Sequence, residues 1–231
     1  MTGVAGVAGV AGVAGVAGVV VSVNRAESAR TDAWTQVKGG RSGIDKRPVA
    51  GPVLLGTAGV AGDTICDTRH HGGPDRAVYA YAAEDLAFWS AELGRELVAG
   101  NAGENLTLSG VDCSGAVVGE RWRVGDACLR VTGPRAPCGV FAGFLGVPDL
   151  VRRFLHAGRP GAYLAVDRPA QVAAGDVVTV LDRPSHGVTV ADLLSVRAGS
   201  RERLDHVVRA RADLGADARE WLDRLTGAGE R

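Results

Sequence analysis

Apolar positions along this chain recur mostly at every second residue, in short runs closed by glycine turns. Ala77-Val78-Tyr79-Ala80-Tyr81 alternates, as do Ala127, Leu129 and Val131. Val19-Val20-Val21-Ser22-Val23, Val53-Leu54-Leu55, Leu164-Ala165-Val166 and Val177-Val178-Thr179-Val180-Leu181 are short and rich in β-branched residues. Each of these predicts a strand. Val117 to Val124, Gly125-Asp126 and Ala127 to Thr132 together read as a β-hairpin. Helical spacing is confined to a few stretches. Ala83 to Leu93 puts Leu86, Trp89 and Leu93 on one face, with Trp89 a core residue, and Gly94 ends the helix; Val147 to Ala157 is also helix-like. Arg25 to Gly43 is polar and glycine-rich, a loop. Many short strands with glycine turns and few helices predict an α+β, mainly β chain closing into a small barrel.

After Pro184 the pattern takes the period of a helix. Thr189-Val190-Ala191-Asp192 starts one helix, Leu204, Val207 and Val208 mark a second face, and Trp221, Leu222 and Leu225 mark a third. The expected organisation is a barrel over 19–184 and a three-helix tail over 185–231, with frayed final residues. The tail's interleaved charges suit packing or partner docking without catalytic groups.

Residues 3–17 are five copies of Gly-Val-Ala. A glycine at every third position makes a poor helix, no basic residues precede the apolar run, and Val19 to Val23 serve as a strand, so a membrane span or signal peptide is rejected. The period of three without proline also excludes a collagen helix. Residues 1–18 are expected to be a disordered low-complexity extension.

Acidic and basic residues balance at 26 each, so the chain offers no basic field for nucleic acid. The four cysteines, Cys66, Cys113, Cys128 and Cys138, have no Cys-x-x-Cys spacing, which argues against a structural zinc or an iron–sulfur cluster. Their scatter fits a reducing cytoplasm.

The chemistry concentrates in loops. Thr132-Gly133-Pro134-Arg135-Ala136-Pro137-Cys138-Gly139 follows a strand and holds a thiol in stiff backbone, because proline fixes its own φ and restricts the residue before it. A cation three residues before the thiol favours thiolate, which binds metal or attacks an electrophile; a small buried apolar role is the bland alternative for Cys138. Arg69-His70-His71-Gly72-Gly73-Pro74-Asp75-Arg76 combines guanidiniums, imidazoles and close-approach glycines, a set that suits a phosphorylated ligand. Adjacent histidines on extended backbone point to opposite sides, so His71 alone, not His70, is the candidate. Lys46 and Arg47 stand at a strand entrance, either solvated or facing an anion. Glu104 and Asn105, between Gly103 and Leu106-Thr107, either orient a ligand or cap a turn.

Gly43-Ile44-Asp45-Lys46-Arg47-Pro48-Val49, Gly62-Asp63, His71-Gly72-Gly73-Pro74-Asp75-Arg76-Ala77-Val78-Tyr79, Gly103-Glu104-Asn105-Leu106-Thr107, Pro134-Arg135-Ala136-Pro137-Cys138 and Arg159-Pro160-Gly161-Ala162-Tyr163 occur in this order. Together they resemble the MOSC domain family, in its stand-alone YiiM-like subgroup, from about Val19 to about Leu225. The resemblance implies a MOSC-type β-barrel followed by a three-helix tail. It also implies a molybdenum cofactor, a Mo-pyranopterin whose metal takes Cys138 as its protein ligand. In that reading Arg135, Lys46 and Arg76 hold the pterin's phosphate beside Gly72, Gly73 and Glu104, and His71 and Asn105 stand near the open side of the metal.

The implied reaction reduces small N-hydroxylated substrates, N-hydroxylated bases or related compounds, to amines. Its electrons would come from a separate flavin or iron–sulfur reductase, because no dinucleotide fingerprint or cluster cysteine set is visible. The family also includes the tails of cofactor sulfurases, but their pyridoxal phosphate domain has no counterpart here and no Schiff-base lysine is assigned. Gly139-Val140-Phe141 departs from the bulkier or basic pair expected after the cysteine. Two further readings stand beside this one: a non-catalytic cofactor or sulfur carrier acting through Cys138, and a metal-free Cys138 nucleophile with His71 as base, for which no oxyanion-hole signature is present.

Overall fold

The computed structural model describes residues 15–38, 40–69 and 71–227. Its strands are β1 (Gly15–Arg25), β2 (Arg47–Pro48), β3 (Val53–Gly56), β4 (Gly59–Val60), β5 (Val78–Ala82), β6 (Leu106–Ser109), β7 (Arg121–Val124), β8 (Ala127–Gly133), β9 (Ala162–Arg168), β10 (Ala170–Val172) and β11 (Val177–Asp182). The helices are α1 (Ala83–Leu93), α2 (Gly139–Leu145), α3 (Leu150–Ala157), α4 (Val190–Arg197), α5 (Leu204–Val208) and α6 (Ala216–Thr226), with short 3-10 turns at Ala33–Lys38, Pro74–Arg76 and Arg211–Asp213. None of these helices is long and apolar enough to cross a membrane.

The main sheet runs β11-β7-β8-β9-β5-β6-β1, and β1 pairs back with β11 to close a barrel. Only β5 and β6 are parallel; β2 pairs the far end of β1, and β10-β3-β4 form a small second sheet. In β8 the expected alternation holds, with Ala127, Leu129 and Val131 buried inside and Cys128 and Arg130 partly exposed. The β7–β8 hairpin turns at Gly125-Asp126, with Val124 opposite Ala127. It is shorter than the pattern suggested, because Val117 bridges to Thr189 instead of continuing β7.

Three expectations are corrected. The first strand starts at Gly15, so Gly15 to Gly18 belong to the barrel and pair with β11. Gly18 is required there: a Cβ would lie 2.0 Å from the Ser109 carbonyl oxygen. The earlier repeats, residues 1–14, lie outside the described residues. The loop from Arg25 to Gly43 contains the 3-10 turn Ala33–Lys38. Helix α2 was unexpected, because its glycines oppose helix formation. Tertiary packing overrides that preference: Val140, Phe141 and Leu145 are buried, and Gly143 lets Trp34 approach so closely that a Cβ would meet its Cβ at 2.3 Å.

Two apolar clusters result. One fills the barrel and also takes in Val190, Leu193, Val207 and Leu222 from the C-terminal helices and Leu214 from the link before α6, so α4 and α6 pack on the barrel's own core. The other is aromatic and lies beside the first, with Trp89 stacked on Phe154 at 5.6 Å and its Nε1 donating to the Tyr81 hydroxyl at 3.0 Å.

Candidate active site

Between the barrel and the C-terminal helices lies a cavity of about 550 Å³, within the range of small-molecule sites. Arg41, Lys46, Arg69, Arg76, Arg135, Arg197 and Arg224 line it and outnumber its carboxylates, Asp63, Asp67, Asp75 and Asp217. The chain is neutral overall, so this positive charge is concentrated here.

Strand β8 delivers the Pro134-to-Cys138 loop to the cavity wall, and Cys138 takes the extended N-cap position of α2 (φ −140°) with its side chain half-buried. Three residues earlier, Arg135 is 3% exposed. Its guanidinium carbon lies 4.6 Å from the centre of the Phe141 ring and 5.4 Å from that of Tyr79, which holds it in place by cation–π contact. Its Nη1 has no hydrogen-bond partner among the described residues. A buried guanidinium nitrogen without an acceptor is costly, and an anion in the cavity would satisfy it. Burial opposes the Arg135 charge, but the surrounding Tyr79, Tyr163 and Cys138 more than offset it, and its pKa stays above the usual arginine value.

On another wall the Lys46 ammonium pairs with Asp63, both side chains nearly fully buried. Burial presses the Lys46 pKa below its usual range, with Asp63 opposing the shift and Arg135 adding to it. Asp63 also accepts from the Ala26 N–H at 2.8 Å and from Asn105 Nδ2 at 2.9 Å. Asn105 is spent on the frame: its Oδ1 accepts from the Tyr79 N–H at 3.2 Å, and its backbone N–H donates to the Tyr79 carbonyl at 2.7 Å. It lines the cavity, but its amide fixes Asp63 and the β5 end.

His71 lines the cavity with Nδ1 2.7 Å from the Tyr163 hydroxyl, and Tyr163 is itself buried next to Tyr79 at 5.2 Å between ring centres. Gly72 also lines the cavity at φ 72°. His70 lies outside the described residues.

The cavity therefore brings together Cys138, His71, Asn105, Lys46, Arg76, Arg135 and Gly72. Two expected residues are corrected. Glu104 is fully buried away from the cavity; its carboxylate accepts from the Gly100 N–H at 2.6 Å, the Ala102 N–H at 3.0 Å and the Thr107 hydroxyl at 2.7 Å, so it braces the loop before β6. Burial raises its pKa against those bonds. Gly73 does not line the cavity and instead begins the Pro74–Arg76 turn at φ 78°.

The tail, expected to pack or dock without catalytic groups, also lines the cavity. Arg197 of α4 and Trp221 and Arg224 of α6 form one wall, with the Arg197 guanidinium 4.6 Å over the Trp221 ring. Arg76 pairs with Asp217, and Asp75 accepts from the Ala216 N–H at 2.8 Å, tying α6 to the glycine-rich loop. Asp63, Tyr163, Cys66, Arg197 and Trp221 are among the cavity residues that the sequence did not single out as site residues. Gly62-Asp63 read as a turn, and the carboxylate gains its role from Lys46, Asn105 and the Ala26 N–H, which sequence does not place beside it.

The model of the MOSC domain matches residues 67–179. YflK of Bacillus subtilis strain 168 is 36% identical over 64% of this chain and 67% of its own length. YiiM of Escherichia coli K12 is 31% identical over 69% of this chain and 72% of its own. A protein named reductase from Gibberella moniliformis is 31% identical over 62% of this chain and 26% of its own length. Among solved structures, YiiM from Geobacillus stearothermophilus superposes with a TM-score of 0.73 at 27% identity, over 89% of this chain and 97% of that one.

Proposed function

Because the chain belongs to the MOSC domain family, we propose that its cavity holds a molybdenum–pyranopterin cofactor with the Cys138 thiolate as the protein's ligand to the metal. We propose further that the protein is an oxidoreductase that reduces N-hydroxylated compounds to amines. The observation that carries the reading is Arg135, buried, cationic and with Nη1 lacking a partner among the described residues, three positions from Cys138 in one cavity. A cofactor phosphate is an acceptor that would satisfy it bidentately. The reductase name of the Gibberella relative supports the redox reading.

No three His, Cys, Asp or Glu side chains cluster as a metal cage among the described residues. A metal that arrives with dithiolene sulfurs needs only one soft protein donor, and the half-buried Cys138 fits that role. The bound metal would supply two-electron chemistry that takes the oxygen of an N–OH group as water.

The chain's own residues would bind and orient. Arg135 and Arg76 would hold the anionic part of the cofactor. Lys46 and Asp63, locked to each other and to Asn105, would keep the wall rigid. His71, oriented by the Tyr163 hydroxyl, is the titratable group placed to exchange a proton with a bound molecule. A separate flavin or iron–sulfur reductase would deliver electrons. The free thiols Cys66, Cys113, Cys128 and Cys138 fit a cytoplasmic location.

The test is elemental analysis for molybdenum on protein from a host that makes the cofactor, alongside Cys138→Ala, followed by assay of an N-hydroxylated substrate with an electron donor. Molybdenum near one per chain, lost in the variant, together with amine formation supports the proposal. Stoichiometric molybdenum without reduction would assign a carrier. Metal-free protein from a loading-competent host would sink the metal-ligand role.

A further inference from the structure

The proposed cofactor role occupies the barrel side of the cavity and leaves the basic wall on the tail side unused. The Arg197 guanidinium carbon stands 4.6 Å from the centre of the Trp221 ring, a cation–π contact that restrains the side chain and lowers the entropy lost when it grips a ligand. Among the described residues the Arg197 side chain forms no hydrogen bond or ion pair, and the same holds for the side chains of Arg41 and Arg69, which also line the cavity. Arg224 stands one turn beyond Trp221 on the same wall, paired with Glu220.

Arg76 lines the same cavity. Arg76 is matched by Asp217; Arg197 has no such match.

We infer that Arg197, backed by Trp221, is an anion subsite for the substrate, separate from the group bound near Arg135 and Cys138. The substrates would then be N-hydroxylated compounds that carry a phosphate monoester, with the phosphate gripped at the tail end and the N–OH group reaching the barrel end. This rests on the proposed function for the N–OH chemistry, but the anion subsite can be measured without it. Arg197 is exposed, and a guanidinium–phosphate pair is among the stronger polar contacts it can make.

The experiment is isothermal titration calorimetry of the full-length protein, both molybdenum-loaded and molybdenum-free. The ligands are adenosine 5′-monophosphate, adenosine, ribose 5-phosphate and inorganic phosphate. Arg197→Ala and Arg197→Lys are compared with the parent, and molybdenum is measured in each preparation.

The inference expects the monophosphate to bind roughly tenfold or more tightly than adenosine, a gap that Arg197→Ala removes and Arg197→Lys only partly restores, with molybdenum content unchanged. Binding of ribose 5-phosphate alone would place the recognition in the phosphate, and a need for the base as well would extend the subsite to an adjoining ring; either outcome supports it. Equal binding of monophosphate and adenosine, no binding of either, or an Arg197→Ala protein that keeps the gap would overturn it. Loss of molybdenum in Arg197→Ala would also overturn it, because Arg197 would then belong to the cofactor. Phosphate selectivity that persists in protein containing no metal would sustain the subsite even where the molybdenum reading had failed.

Discussion

The Asp63 carboxylate accepts from Asn105 Nδ2 at 2.9 Å while it pairs with the Lys46 ammonium. Three segments distant in sequence are thereby joined in one buried polar unit on the cavity wall. Such a unit is costly to break from one side, since removing the carboxylate leaves a buried ammonium with no counter-charge.

Asp63→Asn is therefore expected to cost about 3 kcal/mol or more in urea denaturation. Lys46→Met added to it should recover a good part of that loss, because the unpaired charge is gone. A double variant that loses the sum of the two single costs would show that the pair is not the stabilising element.

The Gly-Val-Ala repeat gives a steric contrast. A Cβ on Gly18 would sit 2.0 Å from the Ser109 carbonyl oxygen, whereas one on Gly15 meets nothing within 4 Å. Gly18→Ala should cost about 3 kcal/mol and Gly15→Ala less than about 0.5 kcal/mol. Equal melting temperatures for the two variants would contradict the register of β1 on β6.

The join between the glycine-rich loop and α6 is local enough to test alone. Asp75 Oδ2 accepts from the Ala216 N–H at 2.8 Å, and a Cβ on Gly215 would lie 2.6 Å from the Asp75 carboxyl carbon. Asp75→Ala removes a helix-start acceptor and should lower stability by about 1 kcal/mol. Faster amide exchange confined to the first turn of α6 would mark the same loss; unchanged exchange there would show that α6 is held by its apolar face alone.

Much of the barrel was legible because period-2 alternation and glycine turns act locally, as in β8, the β7–β8 hairpin and α1 with its Gly94 stop. Cys138, Arg135 and His71 were legible as candidates because prolines and glycines around them mark stiff loops. What was not legible depends on contacts between remote segments. Helix α2 forms against its own glycines because Val140, Phe141 and Leu145 are buried and Trp34 packs against Gly143. Asp63 acquires a role through Lys46, Asn105 and the Ala26 N–H, all remote in sequence, and Glu104 faces inward because Gly100, Ala102 and Thr107 present donors to it. The tail enters the cavity through Arg197 and Trp221, whose helical spacing shows which face is apolar but not what that face meets.

All three tyrosines of the chain, Tyr79, Tyr81 and Tyr163, lie in the aromatic apolar cluster, with the Arg135 guanidinium against the Tyr79 ring and His71 bonded to Tyr163. Burial pushes each phenol above its ordinary pKa, most strongly at Tyr79 and Tyr81. A raised folded-state pKa means that the folded chain binds more protons than the unfolded chain once pH exceeds the ordinary phenol value of about 10. The tyrosines therefore favour folding fully below that pH, and stability falls as pH rises beyond it. Tyrosinate absorbance at 295 nm should stay near zero through pH 10 and then rise together with loss of the circular dichroism signal, because ionisation and unfolding are coupled. A phenol that titrates near 10 with the fold intact would mean that the cluster is open to water, and the buried setting ascribed to Arg135 would fall with it.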